Sequence, residues 1–313
     1  MEHRGLEGFG TIALGSADAP LRATFVPDAG MVCCSLRHDG DELLAPRGGV
    51  RAYAERGSTM GIPLLYPWAN RLAGFGYGMG SATVELPRTS PLLKLDEHGL
   101  PIHGVIPGAL SWELLNEPGS GARDSLHARM RWERPELLAL FPFRHTVELR
   151  ARVERAALRI ETEVHAEDGA VPVAFGYHPY LTLPGAERGS WEVTLPVRER
   201  LALDDEMIPT GASEAFDQRR FALAESDWDD AFARLTEPPT FVLSGGRRRI
   251  ELKLDGGYSF AQLYAPSGER FACFEPMTAP TNALVSGDGL RFARPGEPFR
   301  AAFTISVADL ASG

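Results

Sequence analysis

The sequence predicts an all-β fold, a large antiparallel β-sandwich with only short helices, and three observations predict it. Apolar and polar residues alternate with period two over several segments, as they do in a strand with one dry and one wet face. The 313 residues include 33 glycines and 24 prolines with no repeat period, which means many turns and few long helices. Strands spaced by turn signals recur without the strand-helix-strand alternation of an α/β enzyme.

Taken in chain order, the stretches Arg47–Gly80 and Pro87–Gly108 come first, rich in turn residues and too long for hairpin connections. Long loops in compact proteins tend to carry function. From Ser125 to Arg134, Leu126, Ala128, Met130 and Trp132 alternate with polar neighbours and predict a strand. Val147 to Val153 and Leu158 to Val164 repeat the alternation around a break at Arg155–Ala157, the pattern of an antiparallel hairpin. Phe241 and Leu243 precede Ser244-Gly245-Gly246, and Ile250, Leu252 and Leu254 follow, a second hairpin. Further strands are predicted at Ser259–Tyr264, Phe271–Phe274 and Phe299–Val307. Helices are expected only in short stretches such as Pro135–Leu140 and Asp227–Leu235, about two turns each.

No composition shift, low-complexity run or repeat divides the chain, so residues 1–313 are read as one domain. Hydrophobic residues make up 44%, which excludes the disordered class. Lysine and arginine number 32 against 42 aspartates and glutamates, a formal charge of −10, which argues against nucleic-acid and anionic-membrane partners. Three cysteines, Cys33, Cys34 and Cys273, supply neither a disulfide framework nor a sulfur-based metal site, and the adjacent pair reads as packing. The opening residues lack the order of a leader peptide, and no run of eighteen apolar residues occurs. Cytoplasmic residence is therefore expected, as a monomer or homodimer.

Four segments carry polar residues that packing alone does not call for. In Pro63-Leu64-Leu65-Tyr66-Pro67-Trp68-Ala69-Asn70-Arg71, prolines and aromatics stiffen a loop ending in a donor-acceptor amide and a five-donor guanidinium, which suit a ligand rich in hydroxyls. His98-Gly99-Leu100-Pro101-Ile102-His103-Gly104 holds two histidines without further ligands at metal spacing, so no metal is expected. Phe175-Gly176-Tyr177-His178-Pro179-Tyr180 sets a proton carrier among aromatics, with Pro179 holding His178 extended. Cys273-Phe274-Glu275-Pro276 ends an apolar strand in a carboxylate, costly unless it faces a cleft or a partner. Glu275 and His178 together would supply the acid and base of a two-sided proton transfer.

In this order the segments resemble the aldose 1-epimerase (galactose mutarotase) family over most of the chain. Pro67-Trp68-Ala69-Asn70-Arg71-Leu72 is similar to the family's Asn-Arg loop, and Ile102-His103-Gly104-Val105, with Trp112 following, to its His-Gly loop. Gly176-Tyr177-His178-Pro179-Tyr180 resembles the segment with the catalytic histidine, and Phe274-Glu275-Pro276 the one with the catalytic glutamate. Asp229-Asp230-Ala231-Phe232 resembles the sugar-binding Asp-x-x-Phe segment, Asp227 and Asp230 being alternatives to Asp229, and Phe260-Ala261-Gln262-Leu263-Tyr264 resembles the Gln-bearing strand. Pro295-Gly296-Glu297 also looks familial, but is expected to be a turn.

The resemblance implies a galactose mutarotase-like supersandwich with a sugar cleft on one sheet, and a reaction without cofactor. It implies that Glu275 takes the proton of the anomeric hydroxyl while His178 protonates the ring oxygen, with Asn70, Arg71, His103, Asp229 and Gln262 binding the sugar. Ordinary values near 4.3 for Glu and 6.5 for His would leave one ionised and one protonated at roughly pH 5 to 6, and a neighbouring carboxylate would raise the histidine. The segment His178-Pro179-Tyr180-Leu181 and the Tyr66-Pro67-Trp68 run depart from the galactose branch, which leaves the sugar open. Two rivals share the fold: a hexose-6-phosphate 1-epimerase, with Arg247-Arg248-Arg249 as candidate cations unless they are a solvated hairpin tip, and a non-catalytic carbohydrate-binding protein. The negative charge favours a neutral aldose.

Overall fold

The computed structural model describes residues 6–310 except 17, 80–81, 116–122 and 225. Residues 1–5, where no leader is read, and Gly80, at the end of the first long loop, lie outside the described residues.

Two large antiparallel sheets dominate. One runs, in spatial order, through Trp112–Leu114, Ser125–Trp132, His145–Glu154, Ala157–Ala166, Phe299–Asp309, Arg248–Gly256, Thr240–Gly245, Glu192–Thr194 and Arg220–Ala222. The other runs Pro209–Ala215, Val197–Leu203, Trp228–Leu235, Phe260–Ala265, Ala272–Met277, Gly176–Tyr177 and Leu64–Leu65, with Tyr180–Leu181 also pairing Ala272–Met277. A four-stranded sheet from Ile12–Leu14 to Asp41–Glu42 extends the core at the N-terminal side.

The hairpin read between Val147 and Val164 forms as expected, with Leu149 opposite Thr162 and Ala151 opposite Ile160. Its dry face meets the second sheet, where Thr162 hydrogen-bonds Tyr177 at 2.7 Å and Phe303, Tyr177, Phe241 and Phe274 interlock as rings. Burial of such aromatics at about 25 cal/mol per Å² of apolar surface is the main adhesion between sheets.

Two local expectations are corrected. Asp227–Leu235 is not a helix: Trp228–Leu235 is an interior strand paired on both sides. Its apolar residues Trp228, Ala231, Phe232 and Leu235 fall at helical spacing because Ala231 and Phe232 are buried on opposite faces of the sheet, which erases period two. The loop-rich stretch Arg47–Gly80 does contain a helix, Gly49–Arg56, which ends on left-handed Gly57 and buries Val50 and Tyr53. The helix read at Pro135–Leu140 spans Pro135–Leu138. Cys33 and Cys34 are both buried, in separate apolar clusters, and serve packing as read. No helix among the described residues is long and apolar enough to cross a membrane.

Candidate active site

The pleat of the second sheet divides its residues between core and cleft. Leu263 and Phe274 sit opposite one another and join the core, whereas the alternate positions Gln262 and Glu275, also opposite one another, line a cavity. The neighbouring register row carries Asp229, Tyr264, Cys273 and Tyr180, so four strands present residues to one face. His178 stands in the short break between Gly176–Tyr177 and Tyr180–Leu181, where Pro179 leaves no backbone donor to continue the ladder.

The two long loops close the cavity from above. The His103 amide donates to the Asn70 carbonyl at 2.9 Å, and both residues hold left-handed backbone, φ 62° and 55°. Such conformations are costly for non-glycine residues and concentrate at functional sites. Gly104 is dictated by space: a Cβ there would lie 2.0 Å from the Tyr66 carbonyl oxygen, at φ +74°.

The cavity encloses about 180 Å³, below the range of about 300 Å³ and up that holds drug-sized ligands, and suited to a small polar molecule. Inside it, His178 Nε2 lies 3.1 Å from Glu275 Oε1, with 5% and 2% of the two residues exposed. Tyr180 stacks on the His178 ring at 4.4 Å, its hydroxyl held at 2.7 Å by Thr59, and His103 meets the same ring edge-on at 5.7 Å. A polar chain runs along the floor. Arg71 Nη1 donates to Asn70 at 3.2 Å, Asn70 Nδ2 to Gln262 at 3.0 Å, and Gln262 Nε2 to Asp229. Arg71 is fixed from behind by Asp96 at 2.6 Å and Glu97 at 3.0 Å.

Three polar atoms of this site are buried without a partner among the described residues: Glu275 Oε2, His178 Nδ1 and His103 Nδ1. Buried polar groups are seldom left so, and a ligand's hydroxyls would satisfy those that face the cavity. Burial sets the electrostatics. It pushes the Glu275 carboxyl well above its ordinary value, seconded by Asp229, and lowers His178 to about 3. The expectation that the carboxylate would raise the histidine is therefore overturned, because loss of hydration outweighs the attraction. The pair favours one proton, on Glu275, and a neutral imidazole. Asp229 is also raised and His103 lowered, in both cases chiefly by burial.

All seven candidate residues, Asn70, Arg71, His103, His178, Asp229, Gln262 and Glu275, line this one cavity. Of the three acidic neighbours Asp229 lines the cavity, whereas Asp227 accepts from the Ser267 amide and Asp230 pairs with Arg200. Glu297 is exposed in the turn before the last strand, as expected. His98 is not among the lining residues. Of the arginine run, Arg247 is exposed in the hairpin turn, as read, whereas Arg248 is buried, bonded to the His38 carbonyl at 3.1 Å and to Asp41 at 2.7 Å, and none of the three lines the cavity. Sequence reasoning missed Arg47, Thr59, Lys94, Glu97 and Tyr264, which also line it. The signal available for Arg47, Thr59, Lys94 and Glu97 was their place in the two long loops.

Comparison with known proteins bears on the family and the fold. The family described as aldose 1-epimerase matches residues 23–306. An uncharacterized protein, YihR, from Escherichia coli K12 is 24% identical over 255 residues, 77% of each chain. Among solved structures, a galactose mutarotase-like protein from Clostridium acetobutylicum superposes with a TM-score of 0.84 at 17% identity, covering 99% of this chain and 98% of that one. A GalM/aldose epimerase homologue from C. elegans gives 0.75 at 19% identity, covering 96% and 99%.

Proposed function

Because the chain belongs to the aldose 1-epimerase family, we propose that it interconverts the α and β anomers of an aldose by acid-base opening and closure of the ring. The observation that carries this reading is the Glu275–His178 contact of 3.1 Å inside a small polar cavity, with Glu275 Oε2 still unsatisfied. The two groups share one proton and can pass it across that contact.

With the proton on His178, Glu275 takes the hydrogen of the anomeric hydroxyl while His178 delivers its own to the ring oxygen. The C1–ring oxygen bond breaks and the aldehyde forms. Rotation about C1–C2 and closure by the reverse transfers give the other anomer. Burial favours the neutral distribution of the pair, which is the one ring opening produces, so desolvation works in the direction of the step. Arg71, Asn70, Gln262, Asp229 and His103 hold the sugar hydroxyls, fixed in advance by their mutual hydrogen bonds, so little reorganisation is needed on binding. The reading takes residues 1–313 as one cytoplasmic domain, monomeric or dimeric, and calls for no cofactor.

The test is anomer exchange on freshly dissolved aldoses, followed by polarimetry or saturation-transfer NMR. Glu275→Gln and His178→Asn are each expected to slow exchange by about 10²-fold or more, the usual worth of a positioned acid or base. Sugar binding without accelerated exchange in the wild-type protein would leave a carbohydrate-binding protein in place of the enzyme.

A further inference from the structure

We propose that the substrate is an aldose bearing an anionic substituent on its exocyclic carbon, and that Arg47 and Lys94 form the subsite that receives it. The proposal rests on the anomerisation reading above and names the substrate class that reading leaves open.

Arg47 and Lys94 line the same cavity as Glu275 and His178. Neither has an ion pair or a side-chain hydrogen bond among the described residues, although Arg71 beside them has two carboxylates and even the buried Arg248 has Asp41. Arg47 instead lies over the faces of Tyr180 and Phe271, 4.9 and 5.0 Å from their centroids, which orients its guanidinium without neutralising it. Lys94 is only partly exposed, and its pKa is lowered first by burial and next by the charge of Arg47. Arg47 is exposed and Glu97 and Asp96 act on Lys94 in the opposite sense, yet neither cation is held in an ion pair among the described residues, which leaves positive charge on this side of the cavity free to meet a ligand. An oxyanion would discharge it through charge-assisted hydrogen bonds.

Their position indicates which end of the sugar carries the charge. Arg47 lies over Tyr180, and Tyr180 stacks on His178, so the cation stands on the histidine side of the catalytic pair. Arg47 and Lys94 both act on His178, whereas Arg71 and Asp229 act on Glu275. With Glu275 at the anomeric hydroxyl and His178 at the ring oxygen, the far side of His178 faces C5 and the exocyclic carbon attached to it. The formal charge of −10 belongs to the whole chain and does not describe this cavity. The expectation of a neutral sugar drawn from it gives way to the local arrangement.

Phosphate, sulfonate and carboxylate share the required chemistry. The test compares kcat/KM for glucose, glucose 6-phosphate, the 6-sulfonate counterpart and glucuronate. At least one anionic sugar is expected to exceed glucose tenfold or more, and Arg47→Met and Lys94→Met are each expected to cut that preference about tenfold; the best anionic sugar identifies the group. If glucose is turned over with no anionic sugar tenfold better, or if the preference survives both substitutions, the subsite is overturned while the anomerase reading stands. If none of the four is anomerised, the anomerase reading fails and this one with it. Thermal melting checks that the variants fold. Should they not, the wild-type panel is joined by competition with inorganic phosphate, inorganic sulfate and acetate: inhibition by any of them against the preferred sugar supports the subsite, and indifference to all three overturns it.

Discussion

Glu275 and His178 titrate as a pair, and that sets the pH behaviour expected of the enzyme. In the proposed mechanism the active form would hold one proton between them, from about 3, where His178 charges, up to the raised value of Glu275. We therefore expect kcat/KM to be flat from about pH 5 to about pH 7 rather than peaked between ordinary Glu and His values. A narrow bell with limbs near 4.3 and 6.5 would show that burial does not govern the pair. At Arg71, three nitrogens serve Asn70, Asp96 and Glu97 in one planar fork, which a lysine cannot reproduce. Arg71→Lys should raise KM about tenfold with a smaller change in kcat; the reverse split in steady-state kinetics would place Arg71 in the chemical step instead. These residues were legible because their types are out of place in aromatic or apolar segments. Arg47 and Lys94 were not, because one arginine before a glycine pair and one lysine between leucines look like any solvated cation until the loops are folded.

Strands with one wet face announced themselves, and strands with two covered faces did not. His145–Glu154 has its exposed positions at alternate residues and reads as a strand, whereas Trp228–Leu235, with Ala231, Phe232 and Ala233 buried in succession, presents a helical spacing that only its strand partners overrule. Asp229 therefore reaches the cleft through an element the sequence hid. The short strand Pro101–Val105 illustrates the opposite case, since its glycine advertised a constraint that space explains. Gly104→Ala should destabilise the protein by more than about 2 kcal/mol, because the methyl group meets the Tyr66 carbonyl and the residue must keep positive φ. An unchanged urea midpoint would mean that the two loops part easily at this point. Activity should fall with stability, as His103 precedes the glycine directly.

For the molecule as a whole, alternation revealed a sandwich, but not which faces meet, because sheet packing depends on rings far apart in sequence such as Phe241 and Phe274. His145, buried against Trp132 between the hydroxyl of Tyr66 and the carbonyl of Phe143, belongs to that hidden core. Burial lowers its pKa to about 4. Between that value and about 6.5 the unfolded chain binds more protons than the folded one, so stability rises with pH across this window and is lost as pH falls through it. The loss is about 3 kcal/mol at most for this one group. Unfolding at neutral pH and near pH 4.5 should show a smaller acid loss in His145→Asn than in wild type, and an equal loss would assign the effect elsewhere. His178 acts in the same direction through its own depressed value. The contact of 3.1 Å between His178 and Glu275 also has a meaning at this scale. In the proposed mechanism one proton goes to the sugar as another is taken from it, so the net charge would be the same at every stage of turnover. Nothing has to be exchanged with bulk water, and the rate should be indifferent to buffer concentration at constant pH.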